Sequence, residues 1–206
     1  MSDPLIEQSD GSTPLTPEEL EELVPSYIAI RSELNEAEQA NISEAEEWAF
    51  RRKRKVLDRS FLSTLHKKMF VNVWGWAGKF RKTEKNIGMD PAQIEVQLQE
   101  LIDNCKYWID NNTYEPDEIA TRFHHRLVYI HPYSNGNGRH SRLATDLLLI
   151  SIGREPFSWG RESSVDTKET RAEYIAALRA ACSTSITLAG ERRLLWPVGL
   201  WYGSGR

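Results

Sequence analysis

The sequence predicts an all-α fold with one short extended segment, on three observations. Apolar residues recur at helical spacing through most of the chain: Leu34, Ala37, Ile42, Ala45, Trp48 and Ala49, then Ile94, Leu98, Leu101, Ile102 and Cys105, then Ile119, Phe123, Leu127 and Ile130. Helix-start residues such as Thr16-Pro17, Ser60 and Pro116 open several of the predicted helices, and Pro132 and Gly153 close two of them. Lys79 to Gly88 lacks helical periodicity, and its weak alternation, the one strand signal, reads as an extended segment or small β-hairpin.

Taken in order, residues 1–17 are polar and rich in Ser, Asp, Gly and Pro, which predicts a flexible arm. Residues 18–34 form a separate short segment. Thr16 as cap, Pro17 at the first helical position and Glu18-Glu19 in the first turn start a helix that stops near Pro25. A long helix is expected from about Asn35 to Leu57, with Arg51-Arg52-Lys53-Arg54-Lys55 at its C-terminal end, where positive charge complements the helix dipole. Ser60 is expected to cap the next helix, whose Leu62, Leu65, Met69 and Phe70 face inward. The Trp74-Gly75-Trp76-Ala77-Gly78 cluster predicts a tightly packed helix corner. Helices follow at about 91–111 and 116–130, the second stopped by Pro132 just past His131. Leu143, Ala144, Leu147, Leu148 and Ile150 predict a helix buried on most sides and ended by Gly153, and one more helix is expected at about 167–181. Residues 183–206, with Pro197 and several glycines, read as a divergent, irregular tail in which Leu194, Leu195, Trp196 and Trp201 either pack on the core or form a sticky surface.

The chain has 206 residues, enough for one domain with one substantial core. Its formal net charge of -4 argues against a general nucleic-acid coat, and the basic run 51–55 reads first as a solvated helix end. Cys105 and Cys182 make no metal or disulfide pattern and read as free thiols of a reducing, cytoplasmic setting. No signal peptide and no membrane span is expected, since no apolar run reaches the ~20 residues that a bilayer requires.

The chemistry concentrates in His131-Pro132-Tyr133-Ser134-Asn135-Gly136-Asn137-Gly138-Arg139-His140-Ser141-Arg142. Two glycines let backbone N–H groups converge, and the helix that opens there adds unpaired N–H groups and a positive dipole end. Arg139 and Arg142 lie three apart, on one helix face near that end. His131 stands at the rim and can exchange a proton near neutral pH. The pattern describes a phosphate cradle with a base beside it. Its rivals fit poorly. Ser141 stands where a dinucleotide fingerprint needs its third glycine, and a helix precedes where a strand is required. The Gly-Lys-Ser/Thr of a P-loop is absent, as is His-Glu-x-x-His; His124 and His125 read as ordinary helix neighbours, one packed and one exposed.

Residues 127–143 resemble the signature of the Fic (filamentation induced by cAMP), or Fido, family: His-Pro-Phe-x-Asp/Glu-Gly-Asn-Gly-Arg-x-x-Arg. Two fixed positions differ, Tyr133 for Phe and Asn135 for the acid. Leu65-His66-Lys67-Lys68-Met69-Phe70, Trp76-Ala77-Gly78-Lys79-Phe80-Arg81 and Arg171-Ala172-Glu173-Tyr174-Ile175-Ala176-Ala177-Leu178 also look like family segments, so the resemblance places a Fic domain at 35–182. The overall flavour is similar to the subgroup called mobile mystery protein B, which tends to be encoded beside a helix-turn-helix companion. The resemblance implies a Fic-type helical bundle with a small β-hairpin flap. It also implies transfer of AMP from ATP to a Ser, Thr or Tyr hydroxyl of a target protein, with His131 as base. Gly136, Asn137 and Gly138 would cradle the phosphates, the Asn137 side chain adding a donor, and Arg139 and Arg142 would hold the outer phosphates. Lys82, Thr83, Glu84, Lys85, Asn86, Ile87 and Gly88 correspond to the flap that docks the target by strand-like pairing. Asn135 takes the place of the acid that binds Mg²⁺; an amide dipole holds a hard cation less well than a carboxylate, so a weakened Mg²⁺ site is expected. Glycine at 136 and 138, where the phosphorylating Doc branch commonly has Ala and Lys, favours adenylylation.

Many members of that family are held off by a glutamate that pairs with the second motif arginine. The chain has no clean copy of that inhibitory motif, and Glu21 is the candidate, expected to contact Arg142; a separate antitoxin-like companion is the alternative. A second functional class stays open because of Asn135: a catalytically weakened nucleotide-binding regulator that acts by partner contact. A third, nucleic-acid binding through Arg51 to Lys55, is disfavoured by the acidic balance.

Overall fold

The computed structural model describes residues 14–159, and among these it is helical: α1 Pro17–Glu21, α2 Arg31–Phe50, α3 Arg59–Phe70, α4 Ile94–Asp110, α5 Pro116–Ile130 and α6 Asn137–Ser151. Most of the arm at 1–17, the helix expected at 167–181 and the tail at 183–206 lie outside the described residues.

The α1 helix starts as its sequence requires. Thr16 Oγ1 accepts from the Glu19 amide (3.3 Å) while Glu19 Oε2 accepts from the Thr16 amide (2.9 Å), a reciprocal capping box ahead of Pro17. The chain then runs extended past the corner at 73–75: the Val24 amide donates to Val73 O and the Gly75 amide to Glu22 O, both at 2.9 Å. An antiparallel bridge joins Leu23 to Trp74.

Helix α2 buries Leu34, Glu38, Asn41, Ile42, Ala45 and Ala49, one stripe at helical spacing. It ends at Phe50, short of the expected Leu57, so the basic run lies beyond the helix. Arg54 is the reason. It folds back, donates through Nε to Ala49 O (3.1 Å) and through Nη2 to Trp48 O, and lies 4.0 Å over the Trp48 ring. It caps the end carbonyls from outside the helix. Asp58, not Ser60, caps α3, accepting from the Phe61 amide at 2.9 Å.

Helix α2 packs on α3, α4 on α5, and α5 on α6, with α3 closing onto α6. Leu62, Leu65, Met69 and Phe70 of α3 meet Phe123, Leu127 and Ile130 of α5 and Leu143, Leu147 and Leu148 of α6 in one core. Helix α6 is central and ends with Gly153 at φ +80°, as its glycine predicts. Cys105 is a buried free thiol, its pKa pushed up to about 12 by burial. Among the described residues no helix is long and apolar enough to cross a membrane.

The expected hairpin is not formed. Residues 82–88 hold no strand, although Thr83 and Lys85 turn inward while Lys82, Glu84 and Asn86 turn out. Arg81 replaces the ladder. Its buried guanidinium sits inside the curve and donates to Thr83 O (2.7 Å), Met89 O and His131 O (2.7 Å). Carbonyls that would pair across two strands are satisfied by one side chain.

Candidate active site

His131 terminates α5 in a left-handed conformation, φ +53° and ψ +60°, with Pro132 preventing continuation of the helix. A non-glycine residue held there carries strain on the order of 1 kcal/mol, which the surrounding contacts must sustain. They do so from the flap side: Arg81 binds His131 O through Nε, and the Arg81 amide binds Pro132 O at 2.9 Å. Gly88 lies so close that a Cβ there would come within 2.6 Å of His131 Cβ. The imidazole is 3% exposed beneath this segment. Burial, then the charges of Arg81 and Lys85, push its pKa down to about 4 against a hydrogen bond to the Val128 carbonyl. A ring kept neutral carries a lone pair on one of its nitrogens, as a base requires.

The loop from Tyr133 to Gly136 is held by its own side chains. Asn137 Oδ1 accepts from the Tyr133 amide (2.9 Å) and its Nδ2 donates to Tyr133 O (2.7 Å). This staple corrects one expectation: the Asn137 side chain is committed to the loop, so only its backbone N–H is offered to a ligand. His66 of α3 was not expected here as a functional residue. Its Nδ1 accepts from the Gly78 amide at 3.0 Å, so the proton sits on Nε2, which donates to Asn135 O at 3.0 Å. Its ring also stacks on Tyr133 at 3.7 Å. Burial, followed by the neighbouring His140, keeps the His66 pKa well below the usual histidine range.

Helix α6 opens at Gly136, φ +76°, and a glycine there brings no side chain of its own to cap the N–H groups that follow. A Cβ on Gly136 would strike Phe70 Cζ at 2.5 Å, so this glycine is needed for both conformation and space. Gly138 differs. Among the described residues a Cβ there would meet nothing nearer than Arg142 Nη1 at 3.9 Å, so its bareness leaves room at the tip that those residues do not fill. Arg139 and Arg142 are both partly exposed on this turn. Helix-start amides, open space and two guanidinium groups make the tip an anion site.

The residues do not fit a resident Mg²⁺. Asn135 Oδ1 is turned back onto the Gly136 amide, and among the described residues no group of three His, Cys, Asp or Glu is placed to hold a metal.

Glu21 does not make the expected contact. It is exposed at the end of α1, and the carboxylate that turns inward is Glu19. Glu19 accepts from Lys85 Nζ and from Thr83 Oγ1 (3.0 Å) on the flap, and from the Ser134 hydroxyl on the motif loop. Lys85 also donates to Pro14 O at 2.9 Å. Burial opposes ionisation of Glu19, but the hydrogen bonds from Lys85, the Thr16 amide and Ser134, with the Lys85 charge, outweigh it and hold the carboxyl below its ordinary value. Removing this carboxylate leaves a lysine that is 1% exposed without its counter-charge. Glu19→Ala is expected to lower unfolding stability by about 1–2 kcal/mol, after discounting for the part of the carboxylate that solvent screens, and Glu21→Ala to leave it unchanged. Urea denaturation of both variants checks this; equal stabilities would contradict it.

The family comparisons bear on this geometry directly. Residues 56–149 match the model of the Fic/DOC family. "Protein adenylyltransferase fic-1" of Caenorhabditis briggsae is 36% identical over 108 residues, 51% of this chain and 20% of that protein. Its Caenorhabditis elegans namesake is 33% identical over 112 residues, with the same shares. The chain thus matches about a fifth of the length of these relatives. The N-terminal Fic domain of a VirB-translocated Bep effector protein from Bartonella quintana, solved with bound ADP, superposes with a TM-score of 0.61 at 19% identity, covering 75% of this chain and 81% of that one. BepC of Bartonella tribocorum with bound AMPPNP gives 0.59 at 16% identity, covering 87% and 94%. At such identities the likeness is one of fold, and the matched family segment holds α5 and all but the last two residues of α6. Residues 56–149, which include the motif loop, thus match a Fic/DOC family domain.

Proposed function

We propose that this protein transfers AMP from ATP to a Ser, Thr or Tyr hydroxyl of a target protein. The observation that carries the reading is the juxtaposition on one loop of a neutral His131 and the start of helix α6 at Asn137–Arg139. The relatives named adenylyltransferases support it, since the matched family segment includes that loop. ADP and AMPPNP in the two Bartonella structures point to the same ligand class.

In this reading the amides of Asn137 and Gly138 bind the phosphates, and Arg139 and Arg142 bind their outer oxygens. His131 takes the proton of the incoming hydroxyl as its oxygen bonds to the α-phosphorus. The bond from that phosphorus to the bridging oxygen breaks, and pyrophosphate leaves with the electron pair. Mg²⁺, if brought with ATP, would screen phosphate charge and would not need a carboxylate at Asn135. Residues 82–88 cover His131 and stand where the target segment would dock, with Lys82, Glu84, Asn86 and Ile87 facing outward. With ATP labelled at the α-phosphate the protein fraction should become covalently labelled, and with ATP labelled at the γ-phosphate it should not. Label from the γ position alone would make this a kinase.

Asn135 favours keeping a second reading, a nucleotide-binding regulator of low turnover that works through a partner. The same residue supports the mobile mystery protein B subgroup, and with it a helix-turn-helix companion or antitoxin. Asn135→Asp is expected to lower the Mg²⁺ concentration for half-maximal transfer by about threefold or more. An unchanged Mg²⁺ dependence would show that this position does not meet the metal.

A further inference from the structure

Arg139 is not a loose surface arginine waiting for an anion. Its Nη1 donates to Glu38 Oε2 at 2.6 Å, and its guanidinium carbon lies 4.9 Å from the centre of the Phe70 ring. Glu38 is a carboxylate on the buried stripe of α2, 6% exposed, a hundred residues away in sequence from the phosphate loop. Its other oxygen, Oε1, accepts from Trp74 Nε1 at 2.7 Å. Trp74 is itself fixed: it is 1% exposed, stacked on Trp76, bridged to Leu23, and its amide donates to Phe70 O at 2.8 Å.

We propose that Glu38 is a positioning residue for the phosphate site, holding Arg139 in the orientation in which its remaining N–H groups meet the outer phosphates of ATP. The proposal rests on the reading of the α6 tip as the triphosphate site. A long, flexible arginine loses rotamer freedom when it grips a ligand. One pre-held by a buried carboxylate and an aromatic face has already lost it. The two contacts divide the carboxylate between two donors, Trp74 on one oxygen and Arg139 on the other. That geometry needs a carboxylate. Glutamine has one acceptor oxygen, and its NH₂ would face one of the two donors, so Glu38→Gln satisfies Trp74 or Arg139 but not both. Glu38 does not swing in and out of the site, because the indole N–H anchors it to the core side. Its negative charge is therefore a standing feature of the tip, and the net positive charge offered to phosphate comes from Arg142 and the backbone amides as well as Arg139.

The test is a double-mutant cycle on the full chain, with ATP and Mg²⁺ as the probe and the dissociation constant read by calorimetry. Glu38→Gln, which keeps volume and one hydrogen bond, is expected to weaken ATP by about five- to tenfold in the parent and by less than twofold when Arg139 is already alanine. Glu38→Ala should show the same dependence with a larger parent loss. The thermal midpoint is followed alongside, because a merely structural role would lower it equally in both backgrounds and leave the ATP affinity of the folded fraction unmoved. Equal losses of affinity in both backgrounds, no loss, or tighter binding by Glu38→Gln would each overturn the proposal. Tighter binding would mean that the carboxylate opposes the anion rather than aiming its ligand. A parent protein that takes up no ATP at all would instead overturn the reading of the tip, and Glu38 with it.

Discussion

His131→Ala is expected to lower AMP transfer by about 10²–10⁴-fold while changing ATP affinity little. In the proposed reaction the imidazole would enter only when a hydroxyl loses its proton, whereas the nucleotide would be held by the α6 amides and the arginines. The loss should therefore fall on kcat. Because burial and the charges of Arg81 and Lys85 bring the His131 pKa down to about 4, the base form persists well below pH 6.5. Transfer by protein that remains folded should show no drop in kcat through the ordinary histidine range. Rapid transfer assays at pH 7.5 and 5.5, with folded protein quantified at each, would show this; a kcat that falls tenfold per unit below pH 6.5 would contradict it. The variant also relieves a buried polar ring at a strained position, so it should not be less stable than the parent at mildly acidic pH.

The second large effect is acid lability of the fold. His131 and His140 have pKa values brought down to about 4 and His124 to about 3, all chiefly by burial, and His66 is well below its ordinary range for the same reason. An unfolded chain binds protons at these groups near pH 6.5, and the folded chain does not. Stability is therefore full above pH 6.5 and lost as pH falls from there towards 4, by up to about 1.4 kcal/mol per unit for each histidine. Glu19 acts in the same direction lower down: its folded pKa lies below the unfolded one, so its contribution is present above the unfolded value and lost as pH falls through the folded one. Urea midpoints should fall steeply between pH 7 and pH 5. A flat profile over that interval would mean that the histidines are not held neutral in the core. His140 illustrates the cause, since its Nε2 pairs with Leu62 O at 3.0 Å and the ring has no exposure at all.

These histidines also mark the boundary of what the sequence makes legible. The helices over 94–110 and 116–130 follow from apolar spacing because each buries one stripe, and that over 137–151 because it is buried on most sides. The motif is legible because its parts are contiguous: a turn, two glycines and a helix start bring His131 and Arg139 together without any tertiary information. What spacing does not reveal is polar and distant. Glu38 lies on the same stripe as Leu34, Ile42 and Ala45, and a charged residue on an apolar face was the available signal that something charged awaited it. Arg81 and Glu19 gave no such signal. Each acquires its role only when the flap, the motif loop and α1 come into contact. The missing hairpin has the same origin, since alternation predicts an extended chain but not whether a strand or a guanidinium satisfies its carbonyls. The length of α2 was misjudged because a run of helix-favouring residues does not disclose that Arg54 folds back on the helix end.

The central claim is that one loop presents a triphosphate site and a base together. A crystal of the full chain with a non-hydrolysable ATP analogue and Mg²⁺ tests it most directly. The account predicts phosphate oxygens on the amides of Asn137 and Gly138, Arg139 still paired with Glu38 while touching an outer phosphate, and the His131 ring near enough to the α-phosphorus to hold one hydroxyl between them. A nucleotide bound away from the start of α6, or phosphates seated there with the His131 ring turned into the core, would contradict it.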